Sequence, residues 1–194
     1  MVCVGLAPSS TACRGREAAM DAIVVPHDPA WADAFHAEAA AISSRLGAGT
    51  IRLHHIGSTA IAGILAKPTI DLLGEVPDLA GLDLVSPALE GLNYRAMGPH
   101  GIEGRRFFLK DDAAGRRTHH LHVFVQGSAH AVRHLAFRDY LIAHPETAAA
   151  YSALKRQIVA LPGTTRDTYL VAKGPFIART EAEALAWYQG REGP

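Results

Sequence analysis

Residues 118–126, THHLHVFVQ, change side-chain character at every step, a two-residue period that reads as an extended strand. His119, Leu121, Val123 and Val125 fall on one face, and His120, His122 and Phe124 on the other. Two histidines therefore share a face. Strand-like and helix-like stretches alternate around this segment. The class that follows is α/β (α+β): a small mixed sheet packed with helices, plus C-terminal helices.

Upstream, Asp28 is placed to cap a helix that opens at Pro29, and Ala30–Leu46 should form its body. Phe35, Ala39 and Ile42 recur at helical spacing, Trp31 extends their stripe, and Gly47 is the expected stop. TIRLHHIGS at 50–58 reads as a strand that runs into Gly57 and Ser58. TAIAGILA at 59–66 reads as a short helix broken by Lys67 and Pro68, and PTIDLLGEV at 68–76 as a second strand. Residues 79–92 suggest a helix split at Pro87, followed by a glycine-rich stretch at 98–104, the strand RRFFLK and the hairpin turn DDAAGRR. The remainder is helical over 130–144, 146–161 and about 165–188, with Phe176, Trp187 and Tyr188 expected to dock the last helix on the core.

The 194 residues, 48% of them hydrophobic, suit one domain over 21–189, with a loose, disordered leader at 1–20 and a frayed tail at 190–194. Nineteen basic residues balance nineteen acidic ones, so no global field drives strong nucleic-acid binding, and any anion site must be local. Cys3 and Cys13 both lie in the leader, where they cannot staple a core, and a cytoplasmic setting fits. No apolar run approaches the roughly eighteen residues of a membrane helix, so no membrane partner is expected.

The chemistry concentrates between residues 53 and 73. Gly57 and Ser58 form a turn after a strand, and Asp71 stands in the next strand, thirteen residues beyond Ser58. Glycine lets the backbone approach a phosphate, a serine hydroxyl donates to its oxygens, and a nearby carboxylate suits a divalent cation. Among the basic residues Lys67, Arg105, Arg106, Arg116 and Arg117, Lys67 is the foremost candidate to grip an anion. Arg166, Tyr169 and Lys173 share one helical face, which sets Lys173 either within reach of a phosphate or on the surface.

Thr69 and Leu73 flank Asp71 at the positions where a second acid would share its site, and Glu75 lies roughly 13 Å further along an extended chain. A lone aspartate makes a weak Mg²⁺ site. His120 and His122 are the better partners, and with Asp71 they make a donor set suited to Zn²⁺, Fe²⁺ or Mn²⁺ more than Mg²⁺. His55 is a secondary candidate. The competing reading keeps these histidines neutral, hydrogen-bonded in the core or donating to a bound phosphate.

HHIGSTAIAGILAKPTIDLL resembles the signature of GrpB-like proteins, in which a Gly-Ser-Thr stretch leads to Lys-Pro and Asp. THHLHVF, HLAFRDYLIAHPETAAAYSALK and TRDTYLVAKGPFIARTEAEALAWY are similar to that family's histidine strand, helical pair and closing helix, so the likeness covers about residues 24–188. The resemblance implies a nucleotidyltransferase-like fold and a site at Gly57, Ser58 and Asp71, and some relatives are fused to dephospho-coenzyme A kinase. Three functions stand open. The chain binds a nucleotide or other phosphorylated small molecule and transfers a nucleotidyl group with a divalent metal (Mg, Mn or Zn), with Asp71 as its catalytic residue. It is a non-catalytic accessory module that keeps the anion pocket. It is a metal-dependent hydrolase built on the histidines.

Overall fold

Asp28 starts the first helix, its Oδ1 accepting the Ala30 amide at 2.9 Å in this computed structural model, which describes residues 24–191. Helix α1 (Ala30–Leu46) buries Trp31, Phe35, Ile42 and Leu46 along one stripe and stops at Gly47, whose φ of 94° suits glycine alone. Strand β1 (Arg52–Ile56) leads into a three-residue 3-10 turn (Ser58–Ala60), and β2 (Ile70–Val76) follows. Helix α2 (Leu79–Val85) gives way at Pro87 to a 3-10 segment (Ser86–Leu92), then to β3 (Tyr94–Ala96), β4 (Arg106–Asp111) and β5 (Arg117–Val125). Helices α3 (Ala129–Ala143), α4 (Pro145–Val159) and α5 (Arg166–Gln189) complete the described chain.

The strands form one mixed sheet in the order β1-β2-β5-β4-β3, with β2 and β5 parallel and every other pair antiparallel. Alternation divides its side chains. Leu72 and Val76 of β2, with Leu121 and Val123 of β5, pack beneath Trp31, Phe35 and Ile42 of α1. Leu73, Phe124 and Ile56 point the other way, against Ala131 of α3. A third cluster joins Ile61 and Ile64 to Leu141 and Tyr151, and Phe176 of α5 stacks on Tyr151 with ring centroids 5.1 Å apart. Trp187 sits edge-on to Tyr140 at 5.8 Å, so these two aromatics dock the closing helix as expected.

Two local expectations need correction. Residues 59–66 are not a helix: only Ser58–Ala60 makes a turn, and the rest is irregular. Partners distant in sequence hold that backbone instead. The Leu65 amide donates to Ser152 Oγ at 2.8 Å, the Leu65 carbonyl accepts from Lys155 Nζ, and Ala66 exchanges bonds of 2.9 and 2.8 Å with Val25. The 3-10 turn is also too short to place a helix dipole behind Ser58. The second correction is β3, whose three residues carry too little pattern to be read from sequence. The expected leader with its cysteines, and the last three residues of the tail, lie outside the described residues. Among the described residues, no helix is long and apolar enough to cross a membrane.

Leu72 is 0% exposed on β2, which has a neighbouring strand on either side. Leu72→Ala should lower the unfolding free energy by about 2–5 kcal/mol through lost burial and a residual cavity. Urea denaturation would show a lower midpoint at unchanged slope, and a loss under about 1 kcal/mol would mean that the α1 face repacks freely.

Candidate anion and metal site at the Asp71 cleft

The parallel register of β2 and β5 sets Asp71 opposite His120 and Leu73 opposite His122. Leu72 and Leu121 occupy the α1 face, so alternation turns Asp71, His120 and His122 together toward α3 and α5. His120 Nδ1 donates to Asp71 Oδ1 at 2.7 Å. Each of the three residues offers a ligand atom, and these atoms all lie within 4.8 Å of one another.

Burial works to raise the Asp71 carboxyl, but the hydrogen bond from His120, with the electrostatic pull of the neighbouring imidazoles and of Lys173, outweighs it and holds the group below its usual range. Asp71 is thus an anion at neutral pH, with 29% of its side chain exposed. Burial pushes His122 down to about 3, so its imidazole is neutral. The Arg105 guanidinium, 6% exposed, donates to His122 Nδ1 at 3.3 Å and to the carbonyls of Pro99 and His100 at 3.1 and 2.7 Å. A guanidinium can only donate, so the proton of neutral His122 resides on Nε2. Ligation through Nε2 requires that proton to leave and the Arg105 bond to break. The donor chemistry fits a transition-metal ion, and Arg105 sets a cost on loading it.

The anion side begins at Gly57, whose φ of 71° and ψ of −172° are essentially closed to other residues. A Cβ there would collide with Asp71 Oδ2. Gly57, Asp71, His122, His134, Lys173 and Glu181 line a cleft of about 240 Å³. Burial lowers Lys173 from its ordinary range, opposed by the attraction of Asp71. Lys67 is exposed and outside this lining, its amine lowered by partial desolvation and by the charges of Arg166 and Arg117. Ser58 is half-buried and accepts from Lys155 Nζ at 3.0 Å.

His55 does not join this group. It pairs with Leu72 in the sheet, so its ring faces α1, stacked on Phe35 at 4.9 Å and bonded through Nε2 to Thr59 Oγ1 at 3.0 Å. Glu75 is also engaged elsewhere, with His54 at 2.9 Å and the Gly127 amide at 3.1 Å. Arg106 pairs with Asp83, Arg116 with Asp112 and Arg117 with Asp111.

Sequence reasoning missed Lys155 and His134. Lys155 had a signal: it continues the buried stripe Ala148, Tyr151, Ser152 and Ile158 of α4, where a charged residue is out of place. A larger cavity of about 460 Å³ lies between the ends of α3 and α5, beside Ile142, Trp187 and Arg191. It is remote from the ligating cluster, and the smaller cleft carries the chemistry.

Residues 21–183 match the family described as GrpB protein. The chain belongs to the GrpB family. A crystal structure of conserved protein GrpB from Enterococcus faecalis shares the fold, with a TM-score of 0.80 and 37% identity over 86% of this chain and 99% of that one. The UPF0157 protein YqkA of Bacillus subtilis is 37% identical over 87% of this GrpB chain, which spans only 48% of that relative's length. A UPF0157 protein of Pseudomonas aeruginosa is 40% identical over 84% of the chain and 67% of its own length. A dephospho-CoA kinase of Mycolicibacterium paratuberculosis is 30% identical over 84% of the chain and 46% of its own length.

Two predictions follow from this geometry. Gly57→Ala should cost about 1–3 kcal/mol in thermal or urea unfolding, because the alanine backbone is strained and its methyl displaces Asp71. An unperturbed variant would mean that the turn can rearrange. The second concerns acid. Burial lowers His55 to about 4 and His122 to about 3 from 6.5, so between those values the unfolded chain binds more protons than the folded one. Stability therefore falls as pH drops below 6.5. His55→Gln should flatten the upper part of that decline, measured as urea midpoints in steps of pH, and an unchanged slope would show that His55 does not titrate in this way.

Proposed function

We propose that this GrpB-family chain is a nucleotidyltransferase-like protein that binds a nucleotide or other phosphorylated small molecule in the Asp71 cleft, together with a divalent cation. The observation that carries the reading is charge. Lys173 lines the cleft with Gly57 and is attracted by Asp71, the buried Lys155 reaches Ser58 beside them, and Glu181, the other carboxylate of the lining, is already paired with Arg133. Buried cations in excess of their counter-charges favour an anionic ligand.

Each residue then has a role. Gly57 allows close approach of a phosphate, the Ser58 hydroxyl and Lys173 contact its oxygens, and Lys67 extends the positive rim. Asp71, His120 and His122 would hold the cation, with Mn²⁺ or Zn²⁺ suited better than Mg²⁺ by two imidazoles and one carboxylate. Such an ion supplies charge neutralisation on phosphoryl oxygens. Asp71 also orients the His120 ring through Nδ1. The similarity to dephospho-CoA kinases makes coenzyme A precursors sensible ligands to test beside nucleoside triphosphates.

A second reading, a module that binds the anion without transferring any group, is favoured by Arg105 on His122 and by the lack of a second acid beside Asp71, where Thr69 and Leu73 are buried. Isothermal titration with nucleoside triphosphates and coenzyme A precursors, with and without Mg²⁺, Mn²⁺ or Zn²⁺, separates the two. Cation-dependent binding weakened at least tenfold, about 1.4 kcal/mol, by Asp71→Ala supports the transferase-like site. Binding that ignores both the cation and Asp71 supports the module, and no binding under any condition rejects the phosphorylated-ligand reading.

A further inference from the structure

We propose that Ser58 is a nucleophile activated by Lys155, and that it forms a transient covalent adduct with a phosphorus centre held in the cleft. The choice of electrophile rests on the reading of this cleft as a phosphoryl site; the pairing of hydroxyl and amine does not.

Lys155 is 1% exposed and does not line the cleft, so it cannot grip a ligand itself. Its Nζ reaches Ser58 Oγ at 3.0 Å and the Leu65 carbonyl, and lies 4.3 Å from the centre of the Tyr151 ring. Among the described residues no carboxylate pairs with it. A buried ammonium without a counter-ion is unstable relative to the free amine. Burial, with the charge of Lys173 added, pushes Lys155 down to about 7. Much of it is therefore free amine at neutral pH, beside the hydroxyl of Ser58, the residue that follows the cleft-lining Gly57.

The surroundings orient that hydroxyl. Tyr151, on the same helix as Lys155, lies beside Ser58, and burial raises its phenol, so it stays protonated and cannot take the proton of Ser58 in place of the amine. Ser58 Oγ lies 3.0 Å from Lys155 Nζ, close enough for the hydroxyl proton to pass to the free amine. The other charged group facing Lys155 is Lys173 of α5, while the 58–66 segment offers it only neutral oxygens. Serine with a lysine base is a recognised route to an activated hydroxyl.

The step balances within the chain and its ligand. Ser58 Oγ attacks phosphorus, its proton passes to Lys155 Nζ, and the bond from phosphorus to the leaving oxygen breaks, the electron pair departing with that oxygen. When water or an acceptor hydroxyl attacks the adduct, its oxygen bonds to phosphorus and its proton is lost to solvent, while Ser58 Oγ leaves with the electron pair of the broken P–O bond and recovers its proton from Lys155.

A fluorophosphonate probe tests this with the full chain and with neither metal nor nucleotide present. Attack by Ser58 releases fluoride and leaves a phosphonyl group, which peptide mass spectrometry locates. The expected result is an adduct on Ser58, absent in Ser58→Ala, whose formation rate rises with pH through a midpoint near that of Lys155, about 7. Lys155→Met should slow labelling by about 100-fold in a protein that still unfolds cooperatively. If that variant does not fold, the wild-type pH profile decides. An unlabelled Ser58 in the folded wild type, a flat profile, or labelling indifferent to Lys155→Met overturns the proposal. Failure to bind nucleotides would leave this result unaffected, and an unlabelled Ser58 beside cation-dependent nucleotide binding would sink the nucleophile alone.

Discussion

Parallel pairing of β2 with β5 is the contact on which the site depends. It joins strands 49 residues apart in sequence at Asp71 and His120, and it does so in the middle of the sheet, where neither strand can slip without turning its leucines and valines out of the core. Leu72 and Leu121 face α1 because they are apolar, and Asp71, His120 and His122 face the other way as a consequence. The hydrophobic effect therefore fixes the position of three polar residues that contribute little to the core. The cost of placing them there is borne by specific bonds: His120 to Asp71, and Arg105 to His122.

Much of this was readable in the sequence wherever the physics was local. Helix α1 is bounded by its own residues, Asp28 at one end and Gly47 at the other, and β5 announces itself by alternation. The cluster of Asp71, His120 and His122 was legible because two faces and one fold resemblance sufficed to bring them together. His55 was not. In β1 two histidines stand side by side, so side-chain chemistry gives no clue to which of them shares the face of Asp71, and only the register with Leu72 decides. Residues 59–66 failed for a different reason. Their small side chains suit a helix, yet their backbone is satisfied by Ser152 and Lys155, nearly 90 positions on, and by Val25.

That long-range hold gives α4 a part that its amphipathic pattern conceals. Ser152 and Lys155 take the amide and the carbonyl of Leu65, and Lys155 takes Ser58 as well, so one helix fixes the shape of the segment that connects β1 to β2. The Gly57–Ser58 turn needs this support because Gly57 adopts a conformation with no intrinsic preference to hold it. A serine in such a turn, left to itself, would sample several rotamers, each at a different distance from Asp71. Held by α4, it presents one.

The cleft then contains an imbalance that its own residues do not resolve. Lys155 and Lys173 repel each other, Lys67 and Arg166 do the same nearby, and Asp71 is already engaged by His120. Folding tolerates the arrangement by keeping Lys155 partly unprotonated, which removes charge where burial makes charge most expensive. Binding an anion would relieve the same repulsion by a different route, giving Lys173, which lines the cleft, a partner. An anion in this cleft should thus favour the charged form of Lys173, which burial disfavours and Asp71 alone supports, whatever the identity of the phosphorylated ligand.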